Sequence, residues 1–152
     1  MRVVGLRRDP AAGRGAADAV HPTAEFGSLL PEADFVVLAC PLTAETENLV
    51  DAAAFARMKP SAHLVNVARG RVVDEAALVA ALTERRIAGA GIDVTADEPL
   101  ARQSPLWSFD QVLITPHTAG ETRRYEDNVI EILRDNLGRL RRGEEKLRNQ
   151  VV

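Results

Sequence analysis

Apolar and polar positions along the chain change period several times, and each change marks an element. Val3, Val4 and Leu6 form a short β-prone run that breaks at Arg7, Arg8, Asp9 and Pro10, since proline disfavours helix in the residue before it. Residues 11–20 are rich in Ala and Gly, show no clear period and predict no element. Thr23 is placed to cap a short helix through Leu30, which Pro31 ends. Residues 34–39 read Asp-Phe-Val-Val-Leu-Ala, a continuous apolar run bounded by turn residues, as in a strand buried on both faces. Asp51 can cap a helix over 52–58, stopped by Lys59-Pro60, and a second buried-strand run follows at 62–67. Asp74 can cap a helix over 75–85, with Leu78, Val79 and Leu82 on one face. Strand patterns recur at 89–94 and 111–114. From Glu121 a long helix is expected, with Val129, Ile130, Leu133, Leu137 and Leu140 in one apolar stripe, and the mixed charges of 141–148 read as its solvated end.

Short apolar strands alternating with helices imply βαβ units, hence an α/β fold with a parallel, doubly wound, Rossmann-like sheet in three αβα layers. The 152 residues suit one domain, and no repeat, linker or second boundary interrupts them. The net charge of −3 argues against a strongly cationic nucleic-acid binder. Cys40 is the single cysteine, so no internal disulfide can form and a Cys-based zinc site is not expected. No apolar run approaches the roughly 18 residues of a membrane span, and the N-terminus lacks a signal-peptide apolar region. A soluble cytoplasmic protein with no metal, nucleic-acid or membrane partner is the expectation.

Such sheets bind ligands beyond the carboxyl ends of their strands. After the first strand stand Arg7 and Arg8, which read either as a 2′-phosphate site, hinting at NADP, or as two solvated loop arginines. After the 34–39 run come Cys40, Pro41 and Leu42, with Thr46 further on; the proline gives a rigid exit able to lie against an adenine or ribose, and Cys40 reads as a small buried filler. After the 62–67 run Arg69 projects from a strand end, where a guanidinium can hold a carboxylate and a carbonyl oxygen, and Gly70 permits the turn away. Asp93, Asp97 and Glu98 follow the next strand, and Thr115, Pro116 and His117 the last. A carboxylate beside a histidine fixes the imidazole's orientation and makes it a usable acid. Arg69, Glu98 and His117 all fall at the same sheet edge, whereas His21 and His63 have no such setting and read as structural or solvated.

Together these motifs resemble the cofactor-binding domain of the D-isomer-specific 2-hydroxyacid dehydrogenases. The most specific parts are Asn66-Val67-Ala68-Arg69-Gly70, residues 93–99, and Thr115-Pro116-His117-Thr118-Ala119-Gly120. The resemblance implies that Arg69 orients a 2-oxo acid, that His117 is the acid–base, and that Glu98 pairs with it. It implies that Asp93 holds the nicotinamide carboxamide and that Arg7, Arg8, Pro41, Thr46, Val67, Ala68, His117 and Gly120 contribute to the cofactor site. The related formate dehydrogenases carry Gln where Glu98 stands. NAD or NADP is the implied cofactor, with a slight preference for NADP from Arg7 and Arg8. A small 2-hydroxy or 2-oxo acid is the implied substrate, and a homodimer the implied assembly.

The family's Gly-x-Gly-x-x-Gly fingerprint is absent; Gly13-Arg14-Gly15 imitates its start but lies after the Val3 strand instead of before it. The sequence therefore reads as a cofactor-binding domain over 1–152 that is incomplete at its N-terminus, a fragment without the first strand, its phosphate-binding helix start or a separate substrate domain. In the order 3-2-1-4-5-6 that strand is central, so the Val3 and Phe35 strands are expected to lose their link to the Leu64 strand. Two unpaired edges would favour self-association, and cofactor binding by this chain would be poor. Two other readings share the fold: a non-enzymatic dinucleotide-fold scaffold resembling co-repressors, and an inert remnant.

Overall fold

In the computed structural model, which describes residues 1–150, six short strands alternate with helical segments. The strands are β1 (Val4–Arg7), β2 (Ala19–Pro22), β3 (Phe35–Leu38), β4 (His63–Asn66), β5 (Gly89–Ile92) and β6 (Val112–Ile114). The α-helices are α1 (Phe26–Leu29), α2 (Ala52–Arg57), α3 (Glu75–Thr83) and α4 (Tyr125–Arg141). All strand pairing is parallel and falls into two sheets, β1-β2 and β3-β4-β5-β6. The chain divides into two compact units, Met1–His117 and one that begins at Thr118.

The helix caps follow from single side chains. Asp51 accepts the Ala54 N–H at 2.8 Å, and Asp74 accepts the Ala77 N–H at 3.1 Å, each satisfying a donor left free in a first turn. The core lies on one face of the larger sheet, where Val36, Leu38, Leu64, Ala90 and Ile92 meet Phe55 of α2 and Leu78 and Leu82 of α3.

Four expectations need correction. First, β2 arises within and just after the stretch that predicted no element. Its register pairs Val4 with Ala19 and Arg7 with Pro22, so neighbouring backbone supplies what its own pattern lacks. Second, the Phe35 strand keeps its link to the Leu64 strand, with Val36 opposite Leu64. β1 pairs with β2 instead, and among the described residues no ladder joins either of them to the larger sheet. Third, β3 is not buried on both faces: Val36 and Leu38 enter the core, but Phe35 is 59% and Val37 61% exposed. Alternate side chains on a strand point to opposite faces, and the core covers only one of them; Phe35 stacks on His63, with ring centroids 5.4 Å apart. Fourth, Thr23 does not cap the helix, which starts only at Phe26 and ends at Leu29, just before Pro31. Pro31 sits in the 3-10 turn Leu30–Glu32 that follows α1, near its start, where a missing N–H costs little.

In the second unit α4 is a 17-residue helix with no buried residue, its stripe of Val129, Ile130, Leu133, Leu137 and Leu140 exposed. The charged residues beyond it do not extend the helix. Arg142 pairs with Glu144 at 2.7 Å, Arg148 pairs with Glu131 at 3.2 Å, and the Arg148 N–H donates to Asn136 at 2.7 Å.

Candidate active site

Three neighbouring strand ends carry the chemistry. Beyond β6 the His117 backbone lies in the left-handed region at φ 57°, held by its N–H, which donates to the Asp93 carbonyl at 2.9 Å. That conformation is sparsely populated by residues other than glycine and is a mark of functional turns. It brings the His117 Nδ1 to 2.9 Å from the Glu98 Oε2. An ionised carboxylate only accepts, so Nδ1 carries the proton and Nε2 is left for another partner. The other Glu98 oxygen accepts the Thr95 N–H at 3.2 Å. The hydrogen bond from His117 holds the Glu98 carboxyl below the usual glutamate range; burial opposes it, and the Thr95 N–H and the charges of His117 and Arg69 add to the lowering.

Arg69 follows β4 in extended backbone, and its guanidinium rests on the Ala68 carbonyl at 2.6 Å. The next residue decides where that turn lies. A Cβ on Gly70 would fall 1.9 Å from the Thr95 carbonyl oxygen, so only glycine lets the Arg69 turn press against the loop that bears Glu98. Glu75, in the first turn of α3, accepts the Ala96 N–H at 3.1 Å and holds the same loop from the other side. Asp93 is 6% exposed and accepts a hydrogen bond from the Thr115 hydroxyl at 2.5 Å, tying the ends of β5 and β6 together.

The remaining expected residues are spread more widely. Val67 is exposed despite being apolar, and Ala68 is buried. The Thr46 hydroxyl donates to the Pro41 carbonyl at 2.7 Å and accepts the Thr43 N–H at 2.8 Å, so it braces the loop after β3. Cys40, expected buried, is only partly so. At the end of β1, Arg7 donates to the Gly13 carbonyl at 2.6 Å and Arg8 lies 3.9 Å from Glu45. Gly13 and Gly15 have positive φ, but the chain runs on into β2 and opens no helix there, unlike a phosphate-binding loop. His21 pairs with Glu25 at 2.8 Å. Gly120 belongs to the second unit. Gly70, Glu75 and Thr115 shape the site without having been singled out as its residues. Gly70 and Thr115 lie within the specific motifs and Gly70 reads as a turn residue, but the contacts of all three join segments far apart in sequence and have no local signal.

Among the described residues, no group of three or more His, Cys, Asp and Glu side chains is placed to hold a metal, and no helix is long and apolar enough to cross a membrane.

The family model for D-isomer specific 2-hydroxyacid dehydrogenase, NAD binding domain, matches residues 1–119. This chain belongs to that dehydrogenase family. Glyoxylate/hydroxypyruvate reductase B of Salmonella newport is 47% identical to it over 113 residues, covering 74% of this chain and 35% of the relative. The chain thus spans about a third of the length of the curated relatives it matches. A D-isomer specific 2-hydroxyacid dehydrogenase from Xanthobacter autotrophicus Py2, solved with NADPH and MES, superposes with a TM-score of 0.86 at 38% identity, over 98% of this chain and 60% of that one. A probable 2-hydroxyacid dehydrogenase from Rhizobium etli CFN 42, solved with NADP, HEPES and L(+)-tartaric acid, gives 0.82 at 30% identity over 95% of this chain and 46% of that one. The Rossmann-like parallel architecture and the NAD(P) cofactor class are those of the dehydrogenase family.

Proposed function

We propose that this chain provides the cofactor-binding and acid–base side of an NAD(P)-dependent oxidoreductase that interconverts 2-hydroxy and 2-oxo acids. The observation that carries the reading is the Glu98–His117 pair at 2.9 Å, with Arg69 on a turn packed against the loop that bears Glu98. His117 Nε2 gives its proton to the C2 oxygen of a 2-oxo acid, or takes it from the hydroxyl in the reverse direction. Glu98 keeps the ring oriented and balances its charge in the protonated form. Arg69 grips the substrate carboxylate and polarises the C2 carbonyl, as its planar fork of donors suits.

The residues present fit a nicotinamide dinucleotide at both of its ends. The buried Asp93 carboxylate lies at the end of β5, where it would accept from a carboxamide; Val67 and Pro41 offer exposed apolar surface at the ends of β4 and β3, and Ala68, itself buried, would contribute through the backbone it shares with Val67. Arg7 and Arg8, at the end of β1, would meet the ribose and favour a 2′-phosphate, hence NADP. Thr46 would act through the loop it braces, and Gly120 is a further candidate for the cofactor site. The bound cofactor supplies or accepts the hydride. The names and bound ligands of the relatives support a short 2-oxo acid and NADPH as first choices, and the family resemblance supports a cytoplasmic homodimer.

Oxidation of NADPH and NADH by the full natural polypeptide, with a panel of short 2-oxo acids and carboxylate-free aldehydes, tests this reading. Turnover is expected with the acids and not with the aldehydes. Cofactor binding without turnover of any acid would replace it with the scaffold reading.

A further inference from the structure

Asn66 ends β4 with its side chain 2% exposed, and the chemistry described so far makes no use of its amide. The amide nevertheless has a partner at both its oxygen and its nitrogen. Its Oδ1 accepts the Ala68 N–H at 3.0 Å, and its Nδ2 donates to the Arg69 carbonyl at 3.1 Å. The Asn66 backbone carbonyl accepts the Asp93 N–H at 3.0 Å, which fixes the residue to β5. One side chain therefore pins the turn on both sides of the peptide that joins Ala68 to Arg69. The Ala68 carbonyl in that peptide is the group on which the Arg69 guanidinium rests, at 2.6 Å.

The task needs one acceptor and one donor on a short, planar group. Asparagine supplies both; aspartate at neutral pH supplies only acceptors and would turn one of them against the Arg69 carbonyl. The Arg69 carbonyl also accepts the Val72 N–H at 3.1 Å, so it would keep that bond but lose the one from Asn66 and face a carboxylate oxygen in its place, and the turn would move to relieve the repulsion. Beyond Arg69 the chain has little room to move toward residues 95–96, since a Cβ on Gly70 would already fall 1.9 Å from the Thr95 carbonyl oxygen. Relief must then come at residues 67–69, which carry the guanidinium.

We propose that Asn66 is the positioning residue of Arg69: its amide sets the direction in which the guanidinium meets the substrate carboxylate. The proposal rests on the reading of Arg69 as a ligand of the 2-oxo acid. Asn66 itself touches neither substrate nor cofactor and acts through the Arg69 turn.

The test is a double-mutant cycle in the full natural polypeptide, using the 2-oxo acid that the wild type turns over best. Steady-state constants are measured for wild type, Asn66→Asp, Arg69→Ala and the double variant. Asn66→Asp is expected to lower kcat/KM for the acid by about tenfold or more, chiefly through KM. In the Arg69→Ala background the same change should cost less than about twofold, because its route of action is gone. A loss as large in that background, or no loss in the wild type, overturns the proposal. Should Asn66→Asp fail to melt cooperatively, Asn66→Ser, smaller and uncharged, carries the same expectations. If Arg69→Ala falls and Asn66→Asp does not, only the role of Asn66 fails. If Arg69→Ala keeps wild-type kcat/KM, or the wild type reduces no 2-oxo acid, the reading of the site fails and the role of Asn66 with it.

Discussion

Strands β1 and β2 pair in parallel over four residues, as β3 and β4 do, yet none of the residues in β1 or β2 is buried. The β3–β4 pair places Val36, Leu38, Leu64 and Asn66 in the interior, on a sheet that continues through β5 and β6. The same backbone pairing thus has two different supports. In the larger sheet it is backed by the core packed against α2 and α3; in the smaller one Gly5, Leu6, Ala19, Val20 and His21 are only half-buried. The proposed site divides along the same line. Arg69, Asp93, Glu98 and His117 follow strands of the larger sheet, and Arg7 and Arg8 follow the smaller one. The end proposed for proton transfer follows strands with buried residues; the end proposed for the adenosine phosphate follows strands with none.

The sharpest way to separate the two ends is to remove one group from each. Replacing His117 with Asn removes the acid–base while leaving a polar side chain of similar length. It should lower kcat by about 10²- to 10⁴-fold, with the affinity for cofactor changed far less. Fluorescence of bound NADPH reads affinity and turnover assays read kcat. A loss of affinity equal to the loss of kcat would show that His117 serves the cofactor instead.

Stability should divide in the same way. Leu64 is fully buried in the larger sheet, so Leu64→Ala should cost about 2–5 kcal/mol. Val4 is exposed on β1, and Val4→Ala should stay within about 0.5 kcal/mol. Urea unfolding followed by Trp107 fluorescence measures both, and equal costs would mean that the smaller sheet is supported as well as the larger one.

A gentler probe addresses the adenosine end. Arg7→Ala combined with Arg8→Ala should weaken NADP more than NAD, by no more than about 30-fold, because each exposed charge contact is worth about 0–1 kcal/mol. Glu45 already lies 3.9 Å from Arg8 and competes for its charge, which keeps the effect small. Equal losses for the two cofactors in calorimetry would show that the arginines do not read the 2′-phosphate.

The smallest effect concerns acid. Glu98 is held below the usual glutamate range, first by its hydrogen bond from His117. A carboxyl whose folded-state value is depressed adds stability above its ordinary value, and that stability is lost as pH falls through the depressed one. The gap in Tm between wild type and Glu98→Gln should therefore be open at neutral pH and close only in acid below the ordinary glutamate range. A gap independent of pH would mean that the pair contributes nothing through charge. The carboxyl is half exposed, so the gap will be modest.

The division between the two regions also explains what could be read from the sequence. Asp51 and Asp74 announce their helices because capping is local, and Arg69, Glu98 and His117 are legible because each lies just after a strand. Ala19-Val20-His21-Pro22 is not legible as β2, since it has one β-branched residue, ends in proline and pairs with β1 with no residue fully buried. The apolar run at residues 34–39 overstates burial, because composition does not tell which face of a strand is covered. The constraints on the site are the least legible. Gly70 against Thr95, Glu75 on Ala96 and the two bonds of the Asn66 amide depend on how turns are brought together, and each of these residues has an ordinary local role as well.

Amide hydrogen exchange tests the contrast between the two regions most directly. The Val67 N–H donates to Leu38 at 3.1 Å and the Asp93 N–H to Asn66 at 3.0 Å in the larger sheet; the Asp18 N–H donates to Val3 at 2.8 Å beside the smaller one. Val67 and Asp93 should exchange only through global unfolding, and Asp18 at least about 100-fold faster through local opening. Equal protection of all three amides would contradict the division between a firmly held proton-transfer end and a loosely held adenosine end.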